Sequence, residues 1–174
     1  MEAQQAEEFD RLFRSTFRRV LAYCLRRTGE PAAHDAAAEV YAVAWRRRRH
    51  LPRDEHDAAL WLLGVARKVL ANQARGQRRW TRLLLRAAER AEAPEPGGAA
   101  PGAPDLTAAL AGLSATDQEL LRLAYWDDLP NADIATVLGI SAGAVATRLH
   151  RARERLRPLL TTPRHDTKDL EHAE

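Results

Sequence analysis

The stretch GISAGAVATRLHRARERL, residues 139–156, sets Ser141, Thr147, Arg148, His150, Arg151 and Arg153 among aliphatic residues at helical spacing. Hydroxyl, imidazole and guanidinium groups carried by one helix can hydrogen-bond base edges in a major groove. Gly143 and Ala146 share the outer face near the start of that helix, where a recognition helix meets base edges. Arg148, Arg153 and Arg155 fall to the sides and further along, where guanidinium donors suit phosphates. A second set lies upstream, where Lys68, Asn72, Arg75 and Arg79 recur at intervals of four, three and four, with Arg78 beside them. Trp61 and Trp80 bracket this set; aromatic rings among cations suit unstacked bases of a single strand, and core packing is the other role open to each tryptophan.

Arginine content alone does not select these readings, because 25 of the 27 basic residues of the chain are arginines. Register does. Over residues 131–156 a short helix with Ile134, Ala135 and Leu138 inside is expected, then a turn at Gly139, which can adopt the left-handed backbone such a turn needs. A second helix led by Ser141 then carries Ile140, Val145, Leu149, Ala152 and Leu156 on one inner face. Gly143, Ala146, Thr147, His150 and Arg151 are left on the outer face. The formal charge of +3 is also uneven: Arg46 to Arg90 holds thirteen Arg and Lys against four Asp and Glu, a local footprint for a polyanion.

The elements that must position these groups are helical. The chain of 174 residues is 45% hydrophobic and rich in Ala, Leu and Arg, without the alternating Val, Ile and Thr runs of strands. Phe9, Leu12, Phe13, Phe17, Val20, Leu21 and Leu25 make one apolar stripe on a first helix that stops near Gly29-Glu30-Pro31. A second helix is expected from about His34 to Arg49 with Ala37, Val40, Tyr41, Ala44 and Trp45 on its inner side, and a third from near Asp57 with Leu62, Val65, Ala66, Val69 and Leu70 inward. Residues 87–105, AAERAEAPEPGGAAPGAPD, read as a flexible linker. The expected architecture is therefore all-α: two small helical domains, residues 5–86 and 106–161, with the helix-turn-helix in the second. Ser114 suits an N-cap with Asp117 completing an acidic first turn, and the tail after Thr161 is polar.

Other classes of function find little support. No apolar run reaches the roughly 18 residues of a spanning helix, and the acidic start MEAQQAEEFD is unlike a signal peptide, so a cytoplasmic location without membrane insertion is expected. Cys24 is the sole cysteine and reads as a buried small hydrophobe. His34, Asp35, His50, His56 and Asp57 are the candidates for an enzyme site, but they have no metal-ligand spacing and no phosphate-cradling loop accompanies them. Neither catalysis nor a cofactor is expected.

One duplex-reading helix, one basic and aromatic helix, and a linker between them resemble the sigma-70 family, specifically the small extracytoplasmic-function (ECF) sigma factors. The resemblance is carried by FDRLFRSTFRRVLAYCLRRTGEPAAHDAAAEVYAVAWRRRRHLP and ALWLLGVARKVLANQARGQRR in the first half, and by LSATDQELLRLAYWDDLPNADIATVLGISAGAVATRLHRARERLRPLL in the second. It implies a non-catalytic subunit that binds the RNA polymerase core enzyme, at the clamp coiled coil of the largest subunit and at the flap, and directs it to promoter DNA. Asp35, Glu39, Tyr41, Ala42 and Trp45 are then the core-binding positions. The loop Leu51–Asp57 with Trp61, Lys68, Asn72, Arg75, Arg78 and Arg79 takes the minus-ten element, with a base flipped into the loop. Ser141, Gly143, Ala146, Thr147, Arg148, His150, Arg151 and Arg153 read the minus-thirty-five duplex. Ala144 and Ala146 stand where the family commonly has threonine and a basic residue. An anti-sigma partner is also implied. The rival is a helix-turn-helix regulator that binds duplex DNA without polymerase, which leaves the basic first half without a task.

Overall fold

The computed structural model describes residues 2–88 and 106–161, and among them there are helices and turns but no strand. Helix α1 spans Glu2–Leu25, α2 Glu30–Arg46, α3 Glu55–Ala88, α4 Leu106–Ala111, α5 Ala115–Tyr125, α6 Asn131–Leu138 and α7 Ala142–Thr161, with a short 3₁₀ turn at Arg48–His50. These residues form two compact units. One comprises α1 to α3 together with residues 135–140, and the other comprises α4, α5, residues 131–134 and α7. The expected linker falls on residues 89–105, outside the described residues except for Ala87 and Ala88, which close α3; the polar tail after Thr161 lies outside them too.

In the first unit each of the three helices packs against the other two. The reason is a division of side-chain size. α2 buries Ala33, Ala36, Ala37 and Ala44 around Val40 and Tyr41. Small residues let its neighbours come close, and those neighbours fill the space with Val20 and Tyr23 from α1 and Leu60, Leu62 and Leu63 from α3, all at most 2% exposed.

Three helix boundaries differ from the sequence reading. α2 begins at Glu30 rather than near His34, because Pro31 sits in its first turn, where a missing N–H costs nothing, and Gly29 leads in with extended backbone. It also ends at Arg46, and Arg48–His50 tighten into the 3₁₀ turn. The expected loop Leu51–Asp57 is shorter: the Asp54 carboxylate accepts the Asp57 N–H at 3.0 Å, so Asp54 caps α3 and Glu55 to Asp57 are already helical.

In the second unit α7 packs on α5 and α4. The core gathers Leu110, Leu113, Leu120, Leu123, Leu129, Ile134, Val145, Leu149 and Ala152, all at most 8% exposed. Ser114 caps α5 as expected, its Oγ accepting the Asp117 N–H at 3.1 Å. α6 closes with a Schellman turn in which Gly139 takes φ 68° and the Ile140 N–H reaches the Ala135 carbonyl at 3.1 Å. Ser141 caps the next helix through the Ala144 N–H at 3.2 Å. The axes of α6 and α7 differ by 101°, within the range of a helix-turn-helix. No single described helix is long and apolar enough to cross a membrane.

Candidate nucleic-acid interface

On α7 the separation of faces follows the sequence register. Val145, Leu149 and Ala152 are buried, Ile140 and Leu156 half-buried, and Ser141, Gly143, Ala146, Thr147, Arg148, His150, Arg151 and Arg153 all exposed. The Thr147 hydroxyl donates to the Gly143 carbonyl at 3.1 Å, which commits its proton and leaves the oxygen able to accept. Gly143 has open space where a Cβ would stand, consistent with a surface that something else can approach closely.

The arginines further along α7 differ in their partners. Arg155, which the sequence placed among phosphate-facing groups, donates from Nη1 to Asp117 Oδ2 at 2.6 Å. The Asp117 side chain is only 9% exposed, so this pair ties α7 to the start of α5 and occupies the Arg155 charge. Arg153 instead donates from Nε to the hydroxyl of Tyr125, with its guanidinium carbon 5.5 Å from that ring's centroid. Sequence reasoning missed both partners, because they lie 38 and 28 residues away along the chain. The nearest signal was the pairing of Tyr125 and Trp126 at the end of an otherwise amphipathic helix; both are exposed, at 59% and 40%.

Along α3, Lys68, Asn72, Arg75, Arg78 and Arg79 are exposed together. Arg75 donates from Nη2 to Asn72 Oδ1, and Arg78 Nε donates to the Ala74 carbonyl at 3.2 Å. Trp61 is half-buried near the start of the helix, while Trp80 stands 58% exposed among the cations. From Ala74 to Arg82 every residue is exposed, and none of them is acidic. Beside the start of α3, Leu51, Pro52 and Arg53 line a cleft of about 840 Å³ with Phe9, Leu12, Arg48 and Arg49.

On α2, Asp35, Glu39, Ala42 and Trp45 are exposed. Tyr41 is not: it is 6% exposed, and its hydroxyl shares a 2.8 Å hydrogen bond with Thr16 inside the unit. Phe13 packs edge-on against its ring with centroids 4.8 Å apart. Burial pushes the Tyr41 phenol up to about 12, against the pull of the Thr16 hydrogen bond. Tyr41 thus serves the interior of the bundle and presents no surface for a partner. Trp45 is held from two sides, by Phe9 at 5.0 Å and by the Arg48 guanidinium at 4.5 Å.

Among the described residues no three His, Cys, Asp or Glu side chains gather as a metal site. Cys24 is fully buried, and its thiol is pushed up to about 11 by desolvation, opposed by Arg27.

Comparison with known proteins agrees with this geometry. The family "Sigma-70, region 4" matches residues 104–156, which contain the helix-turn-helix. The ECF RNA polymerase sigma factor SigL of Mycobacterium tuberculosis is 33% identical over 141 residues, covering 78% of each chain. The RNA polymerase sigma-E factor of Streptomyces antibioticus is 37% identical over 62 residues, 36% of this chain and 34% of that one. Two solved structures share the fold. The sigma factor RpoE of Bartonella quintana, in complex with the anti-sigma factor NepR, has a TM-score of 0.63 at 22% identity, covering 91% of this chain and 99% of that one. CnrH, in complex with the cytosolic domain of CnrY, has a TM-score of 0.61 at 23% identity, covering 91% and 93%. An exposed polar outer face on a helix-turn-helix, a basic helix in a separate bundle and a relative matched over most of its length agree: the chain belongs to the ECF sigma factors of the sigma-70 family.

Proposed function

We propose that the chain binds RNA polymerase core enzyme in the cytoplasm and directs promoter-specific initiation as a non-catalytic subunit. Residues 5–86 bind core and capture the minus-ten element, residues 106–161 read the minus-thirty-five element, and residues 87–105 connect them. The observation that carries this reading is the outer face of α7, where Thr147, His150 and Arg151 stand exposed opposite buried Val145, Leu149 and Ala152. A helix whose inner face is fixed can present those side chains to the major groove without reorganising.

The minus-ten strand is assigned to Trp61, Lys68, Asn72, Arg75, Arg78 and Arg79, with the cleft beside Leu51 and Pro52 as the place for a flipped base. Its apolar walls suit the face of a base, and Arg11, Arg48, Arg49 and Arg53 outnumber Glu8 and Glu55 along its lining. Core enzyme docks on the exposed residues of α2, Asp35, Glu39, Ala42 and Trp45, and the second unit contacts the flap. The complex of RpoE with the anti-sigma factor NepR supports an anti-sigma partner for this chain as well.

Transcription in vitro tests the reading directly. Added to core polymerase on a pool of genomic DNA, the protein is expected to yield transcripts starting from a single promoter class. Binding to palindromic duplexes with no transcripts above core alone would instead identify a regulator independent of polymerase.

A further inference from the structure

We propose that Tyr125 on α5 is a positioning residue that aims Arg153 of α7 at one phosphate of the DNA backbone; this rests on the reading of α7 as the helix that enters the major groove. Arg153 and Arg155 are two residues apart and both reach back to α5, yet they meet different chemistry. Arg155 meets a carboxylate, Asp117, and its charge is neutralised at 2.6 Å. Arg153 meets a phenol, which accepts a hydrogen bond and leaves the cation's charge intact.

A guanidinium has five donors, and Tyr125 takes the Nε–H of Arg153. Both terminal nitrogens remain, in the planar fork that suits two oxygens of one phosphate. The Tyr125 ring lies within cation-π range, at 5.5 Å. Neither group is withdrawn from solvent, since Tyr125 is 59% exposed and Arg153 is exposed. A long arginine side chain ordinarily loses rotamer freedom when it binds; a phenol that already holds Nε removes part of that cost before DNA arrives. The pair therefore works as a preset arm at the flank of the reading face, while Arg155 serves as a brace.

The test uses the full chain and fluorescence anisotropy with a mixed-sequence DNA duplex, titrated over a range of salt. Arg153→Ala is expected to reduce the salt slope by about one, as loss of one phosphate contact should. Tyr125→Phe, which keeps the ring and removes the acceptor, is expected to weaken binding roughly two- to tenfold at fixed salt, the size of one hydrogen bond. That loss is expected to vanish in the Arg153→Ala background, where no donor is left for the hydroxyl to hold. The thermal midpoint of Tyr125→Phe should match that of the parent.

A Tyr125→Phe loss that persists without Arg153 would overturn the proposal, because the hydroxyl would then act on DNA or on the fold by itself. Unchanged binding by Tyr125→Phe would overturn it as well. Neither result touches the broader reading, which fails separately if the unsubstituted chain binds no duplex, alone or assembled with core polymerase.

Discussion

Arg155 and Asp117 form an ion pair between α7 and α5, an Nη1 to Oδ2 contact of 2.6 Å onto a carboxylate that is 9% exposed at the side chain. The same Asp117 offers its backbone N–H to the capping hydroxyl of Ser114, so one residue joins the start of α5 to the last turns of α7. Breaking the pair leaves a nearly buried carboxylate without its counter-charge. Arg155→Ala should therefore destabilise the second unit by about 1–3 kcal/mol in urea unfolding, and Asp117→Ala should cost less, because the Arg155 side chain it leaves behind is 60% exposed. Arg155→Ala should leave the salt slope of DNA binding unchanged, since its charge is already occupied.

Gly139 and Gly143 should respond to alanine in opposite ways. At Gly139 a Cβ has open space, but φ is 68°, so Gly139→Ala should cost about 1–2 kcal/mol from backbone strain alone. At Gly143 the backbone is helical and the space also open, so Gly143→Ala should raise stability by about 0.5–1 kcal/mol. If Gly143 gives close approach to DNA, the more stable variant should bind duplex less tightly; thermal melting and anisotropy on the same samples check both statements.

Base reading and strand opening should separate by unit. Arg151→Ala should weaken binding of a minus-thirty-five duplex by about 1–3 kcal/mol. The pair Asn72→Ala with Arg75→Ala, which removes a side-chain contact from the exposed face of α3, should impair promoter opening more than initial duplex binding. Permanganate footprinting of open complexes beside gel-shift affinity distinguishes these effects, and an equal loss of both would contradict the division of labour.

Alkaline pH should loosen the first unit. Burial raises the Cys24 thiol from 9.0 to about 11 and the Tyr41 phenol from 10.0 to about 12. Both groups are held neutral in the fold, so their contribution is complete below pH 9 and is lost as pH rises towards 11 and 12 while the unfolded chain ionises first. Unfolding midpoints measured at about pH 8 and then at higher pH should fall, and less so in Cys24→Ala. A thiol reagent should label Cys24 at the rate of unfolding.

Local chemistry explains how much of this was legible in the residues. The helical class, the turn at Gly139, the caps at Ser114 and Ser141 and the inner face Val145, Leu149 and Ala152 all depend on neighbours within a few positions. Periodicity and turn propensity therefore determine them. The family resemblance is carried by the same local blocks. Where a proline or an aspartate could serve either side of a boundary, as Pro31 and Asp54 can, the sequence left the helix starts open by several residues, and packing of the first turn decided them.

Partner choice across elements needed the tertiary structure. The register of α2 set Tyr41 on its inner side, while the family resemblance assigned the same residue to a partner surface. Only the meeting of Phe9, Phe13, Phe17 and Thr16 around Tyr41 decided between the two, turning it inward and away from any partner. Likewise nothing in the run RLHRARERL distinguishes Arg153 from Arg155. Contacts between residues far apart in the chain carry no periodic trace, and it is the approach of α5 that gives one arginine a carboxylate and the other a phenol.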